Sequence, residues 1–205
     1  MQNLFDGVKE FLANDYLEMK RHFRKLGKGQ NPHTLFVGCS DSRIVPNLIT
    51  KTLPGELFVI RNIANLVPVY RESEEYLSTT SAVEYAVQML GVENIIICGH
   101  SNCGGCRAVY MSEEQTASIP HTRRWVQLME KVRDKVTELK PVDEAERDLQ
   151  TEQLNIVQQM NHLLSYPYIR EKYRAGTLKI LGWYYIIETG EVFNYNIKNR
   201  LFEKI

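Results

Sequence analysis

The sequence predicts an α/β fold: a mostly parallel central sheet of four strands plus an antiparallel edge strand, flanked by helices and preceded by an N-terminal helical arm. Three observations predict it. Short apolar runs at 34–38 (TLFVG), 56–60 (ELFVI) and 94–98 (NIIIC) lack polar alternation, as strands buried on both faces do. The second and third runs are separated by a helical stretch at 78–90 (STTSAVEYAVQML), the βαβ pattern of a parallel sheet. A fourth run at 178–187 (LKILGWYYII) passes through Glu188, Thr189, Gly190 and Glu191 into 192–196 (VFNYN), which reads as strand, tight turn and antiparallel edge strand.

Taken in chain order, residues 2–26 read as one amphipathic helix, with Leu4, Val8, Phe11 and Leu12 at helical spacing. The stretch 27–32 (GKGQNP) ends it. Lying ahead of the first strand, residues 1–29 form an arm suited to packing on a partner subunit, or equally on its own domain. Charged helical segments are expected near 121–139 and 144–165, with a break at Pro141, and a short helix near 167–175 stops at Gly176. No internal repeat, low-complexity tract or linker divides residues 1–205, so one domain is expected.

Composition excludes several function classes. Of 205 residues, 25 are Lys or Arg and 25 are Asp or Glu, a balance unlike that of a nucleic-acid binder. The local cluster Lys20, Arg21, Arg24 and Lys25 reads as a solvated helix face among acidic neighbours. The first residues lack the basic start and apolar run of a signal peptide, and no stretch approaches the length of a membrane span. Four cysteines are too few for a disulfide scaffold and point to a reducing, cytoplasmic compartment, where clustered Cys and His indicate metal or catalysis.

Two segments carry the chemistry, each at the carboxyl end of an expected parallel strand, where open α/β sheets gather their ligands. One is Gly38, Cys39, Ser40, Asp41, Ser42, Arg43; the other runs from Cys98 to Cys106 (CGHSNCGGC). Cys39, His100 and Cys103 together make a Cys2His set, three protein ligands that leave a fourth zinc position for water. The spacing of His100 and Cys103 lets one turn present both to one ion, and Gly104 and Gly105 allow close backbone approach. Asp41 is either a fourth ligand or, paired with Arg43, a hydrogen-bond acceptor beside the metal. Cys103 and Cys106 also form a Cys-x-x-Cys, which leaves a redox pair or a closed four-ligand structural zinc site as rivals. Cys98 ends an apolar run and reads as strand core.

The segments 39–43 (CSDSR), 54–65 (PGELFVIRNIAN), 84–87 (EYAV) and 98–105 (CGHSNCGG) resemble the β-class carbonic anhydrases, most closely bacterial ones. The likeness spans about residues 30–110 and continues more weakly at 182–185 (GWYY). The resemblance implies one Zn2+ per subunit on Cys39, His100 and Cys103, and reversible hydration of carbon dioxide to bicarbonate and a proton by zinc-bound hydroxide. It makes Asp41 and Arg43 the catalytic dyad and gives Gln30, Phe58, Tyr85 and the Gly104 N–H to substrate binding. In the family the glutamine and the aromatics come from the neighbouring subunit, which implies a homodimer or homotetramer.

A second branch of that family carries a regulatory bicarbonate pocket with a Trp three residues before the first Cys. Here Phe36 takes that place, although Arg61 and Tyr185 match the pocket's other residues, so that regulation is expected to be absent. Carbonyl sulfide and carbon disulfide hydrolases share the ligand pattern, and a non-catalytic zinc module is the remaining alternative. His22, His33, His121 and His162 are expected to be structural or on the surface.

Overall fold

The computed structural model describes residues 1–72 and 77–205. The predicted sheet is present, one strand longer than expected. Strands β1 (Thr34–Cys39), β2 (Leu57–Asn62), β3 (Asn94–His100), β4 (Lys179–Tyr185), β5 (Val192–Asn196) and β6 (Leu201–Lys204) lie in the order β2-β1-β3-β4-β5-β6. The first four in that order are parallel, and β5 and β6 add antiparallel pairings. β6 has the short sequence LFEK, with too few residues to show alternation.

Consecutive residues of β1 and β3 bury opposite faces. Leu35, Val37, Ile95 and Ile97 enter the main core, while Phe36, Ile96 and Cys98 pack on the other face with Trp183. This explains why the strands read as unbroken apolar runs. The chain returning from β2 to β3 crosses over β1, because β1 pairs with both.

The arm is not one helix. It comprises α1 (Gln2–Ala13), α2 (Asp15–Glu18) and α3 (Lys20–Leu26), with a break at Asn14 (φ −120°, ψ −81°). The reason is aromatic packing. On a straight helix Phe11 and Phe23 would stand about 18 Å apart along the axis, whereas here their rings are 6.0 Å apart with Tyr16 beside both. None of the three helices buries a residue. α3 reaches the domain, with His22 Nε2 on the Pro54 carbonyl at 2.8 Å and Leu26 over Gly55.

Short helix α4 (Pro46–Thr50) follows β1, and α5 (Ser78–Glu84) continues through a π turn at Tyr85–Met89. α6 (Gly104–Arg107) follows β3. The segment expected near 121–139 is two helices, α7 (Pro120–Val126) and α8 (Glu130–Leu139), joined by a 3₁₀ turn. α8 stops where Lys140 turns left-handed before Pro141.

The long α9 (Glu144–Leu163) starts at Asp143, whose side chain accepts the Glu146 N–H while Glu146 accepts that of Val142. α10 (Pro167–Arg174) opens on Pro167 and ends at Gly176, φ +73°. Cys98 is core, as expected.

Candidate metal centre

β1 and β3 are adjacent and parallel, so their carboxyl ends lie side by side. Cys39 is the last residue of β1 and His100 the last of β3. Two residues later Asn102 turns left-handed (φ +57°), a conformation that Asn tolerates, and Cys103 follows as the N-cap of α6. The turn carries Cys103 back toward Cys39. The ligand atoms of Cys39, His100 and Cys103 all lie within 4.8 Å of one another, and all three residues are buried. Among the described residues this is the group that could hold a metal ion.

The donor set fits zinc. The two sulfurs are 4.0 Å apart, close to the roughly 3.8 Å that tetrahedral bonds of about 2.3 Å would give. His100 Nδ1 donates to the Ser101 carbonyl at 2.9 Å. That bond fixes the tautomer and leaves Nε2 as a lone pair, and Nε2 is buried with no hydrogen-bond partner among the described residues. Contact with Cys103, together with burial, pushes the Cys39 thiol up to about 12, and contact with Cys106, together with burial, raises that of Cys103 against an opposing contribution from Cys39. Two facing thiolates and an empty imidazole lone pair are unfavourable in a buried space unless a cation lies between them.

Asp41 turns toward Arg43. Its Oδ1 accepts from the Arg43 backbone N–H at 3.0 Å and from Nε at 2.9 Å, and its Oδ2 accepts from Nη2 at 2.7 Å. The guanidinium holds the Asp41 carboxyl well below the usual carboxylate range. Oδ2 remains 3.9 Å from His100 Nε2, so a charged acceptor stands at the rim of the cluster. Arg43 Nη2 also donates to the Asn102 carbonyl at 3.1 Å, tying the two loops together. Arg61 adds a further tie, donating to the carbonyls of Cys39 (3.1 Å) and Asp41 (2.6 Å).

The remaining predicted residues fall elsewhere. Gly104 opens α6 beside Cys103, with open space where a side chain would be. Phe58 and Tyr85 meet each other, ring centroids 6.0 Å apart. Phe58, however, is level with Leu35, four positions before the Cys39 level on β1, or about 13 Å along the strand. Gln30 is exposed ahead of β1, also at the end of the sheet away from the metal ligands. Cys106 is buried, with the Asn155 amide 3.9 Å from its sulfur.

Sequence reasoning missed Glu152. It is buried on α9, with Oε1 accepting the Cys103 N–H and Oε2 the Tyr184 hydroxyl, both at 2.8 Å. Burial raises its carboxyl pKa. The available signal was a charged residue in step with Asn155, Ile156, Gln159 and Leu163 on the inward stripe of a helix.

The chain matches the carbonic anhydrase family over residues 34–192. It is 45% identical over 205 residues to a carbonic anhydrase of Helicobacter pylori, covering 98% of this chain and 93% of that protein. It is 36% identical over 195 residues to a carbonic anhydrase of Synechococcus elongatus, covering 94% and 70%. Among solved structures, the β-carbonic anhydrase CcaA superposes with a TM-score of 0.95 at 33% identity, covering 100% of this chain and 99% of that one. A tetrameric β-carbonic anhydrase of Sordaria macrospora gives 0.80 at 30% identity, covering 94% and 95%. By sequence, by topology and by the position of its buried Cys, His and Cys donors, the chain belongs to the β-class carbonic anhydrases.

Proposed function

We propose that this enzyme catalyses the reversible hydration of carbon dioxide to bicarbonate and a proton, on one Zn2+ held by Cys39, His100 and Cys103. The observation that carries the reading is the convergence of these three donors within 4.8 Å beside an Asp41 already bound to Arg43. Bound there, zinc supplies Lewis acidity and brings the ionisation of a coordinated water toward neutrality.

The chain's own residues do the rest. Arg43 keeps Asp41 ionised and fixes its direction, so Asp41 accepts the hydrogen bond of the attacking water and aims its lone pair at the carbon. The Gly104 N–H, at the start of α6, receives the product anion. Gln30, Phe58 and Tyr85 complete the pocket from a neighbouring subunit of a homodimer or of a tetramer built from such dimers. Their position at the far end of the sheet supports this, since they are out of reach of their own chain's metal ligands. The unburied apolar face of α1, with Leu4, Phe5, Val8 and Leu12 exposed, supports an arm that covers a second copy.

No helix among the described residues is long and apolar enough to cross a membrane. A cytoplasmic setting suits four reduced cysteines.

The test is zinc stoichiometry measured beside stopped-flow carbon dioxide hydration, with carbonyl sulfide and carbon disulfide assayed in parallel. One zinc per chain with rapid hydration is expected, and Asp41→Asn should keep the zinc while hydration slows by about 10²-fold or more. Full zinc with no hydration would leave a non-catalytic module, and turnover of a sulfur gas alone would move the substrate.

A further inference from the structure

Glu152 is a carboxyl group sealed inside the protein, 2% exposed. Among the described residues no cation forms an ion pair with it. Its two oxygens are spent on one peptide N–H and one phenol, Cys103 N and Tyr184 Oη, each at 2.8 Å. A Gln would serve the same two partners without the burden of a buried acid, and a Leu would fill the space. The bond to Cys103 is the one with consequences. That N–H belongs to the N-cap of α6 and has no helical partner of its own. It also sits in the peptide joining left-handed Asn102 to a metal ligand, so its direction sets where the Cys103 sulfur points.

The helix that carries Glu152 is pressed onto the same strand end. A Cβ on Gly99, the residue before His100, would meet Ile156 side-chain atoms at 2.7 and 2.8 Å. Tyr184, the second partner, lies level with Gly99 on the neighbouring strand β4. One helix therefore fixes the backbone at two of the three ligands, by close packing beside His100 and by a carboxyl oxygen that accepts the Cys103 N–H.

We propose that Glu152 is a positioning residue for the metal: it clamps the Cys103 peptide so that the cluster is formed before zinc arrives and holds zinc once it is bound. This rests on the reading that Cys39, His100 and Cys103 are the zinc ligands. Outer contacts of this kind typically change metal affinity by about 10–100-fold when lost.

The experiment compares wild type with Glu152→Gln, Glu152→Leu and Glu152→Asp. The readouts are zinc release into excess colorimetric chelator and the thiolate-to-cobalt absorption of the cobalt-substituted protein. Glu152→Gln still presents an oxygen to Cys103 and an NH2 to the Tyr184 hydroxyl, and should stay within a few-fold of wild type with an unchanged cobalt spectrum. Glu152→Leu should release zinc about 10–100-fold faster with altered thiolate bands. Should the Leu variant fail to fold, Glu152→Asp, one methylene too short to reach Cys103, carries the same expectation. Wild-type release and spectrum in the Leu or Asp variant would overturn the proposal, as would equal zinc loss in the Gln and Leu variants. A wild type that binds no zinc would instead remove the ligand assignment itself.

Discussion

Individual residues at the site divide into those placed to donate to a metal and those that stand beside the donors. Cys39, His100 and Cys103 are buried with their donor atoms converging, and Cys106 stands outside that group, beside Cys103 and with the Asn155 amide 3.9 Å from its sulfur. Cys39→Ser, His100→Ala and Cys103→Ser should therefore each lose zinc and hydration activity, while Cys106→Ser keeps both. Metal analysis of the purified variants decides this, and zinc loss in the Cys106 variant would establish a four-ligand structural site. Asp41 belongs to the second group. Because its carboxyl is depressed, the pairing with Arg43 stabilises the fold fully above the ordinary Asp range and is lost only as pH falls through the lower folded value. The dyad thus stays formed across the neutral range in which hydration is measured.

Among the elements, α9 organises the molecule. Its inward stripe is polar as well as apolar, and three of its polar members take backbone groups of a neighbouring loop. Asn155 donates to the Ala64 carbonyl at 3.0 Å, Gln159 accepts the Val67 N–H at 2.8 Å, and His162 Nδ1 donates to the Val67 carbonyl at 2.7 Å. These bonds satisfy a non-sheet segment that would otherwise be buried with unpaired groups. His162 also has a pH consequence. Burial holds its pKa below the usual 6.5, so the folded state favours the neutral ring. Its stabilising contribution is complete above 6.5 and disappears as pH falls through the lower folded value. Denaturant unfolding followed across that acid window should show stability falling with pH, and His162→Gln should flatten the slope. An unchanged slope in the variant would clear His162 of the effect.

For the whole molecule, the question is what completes the pocket. Phe58, Tyr85 and Gln30 lie at one end of the sheet and the metal ligands at the other, so a pocket using both sets needs two chains. Mixing Gln30→Ala with His100→Ala, two full-length and individually impaired proteins, should yield mixed dimers more active than either parent, because one site then has intact ligands and an intact glutamine. No recovery in dimers shown by mass to be mixed would place Gln30 outside the pocket.

The sequence by itself determined the parallel core and the donors. Strands buried on both faces must be continuously apolar, and a Cys2His set at strand ends is chemically distinctive, so β1, β3, Cys39, His100 and Cys103 were legible one residue at a time. The tertiary structure decided what depends on distance between remote segments. It broke the expected single arm helix, because Phe11, Tyr16 and Phe23 gain more by packing together than by continuing one axis. It added β6, turned Asp41 to Arg43, and set Phe58 at the far end from its own chain's metal ligands. It also gave Glu152, 49 positions along the chain from Cys103, a backbone partner that no local pattern encodes, because a buried acid is recognised only by what surrounds it.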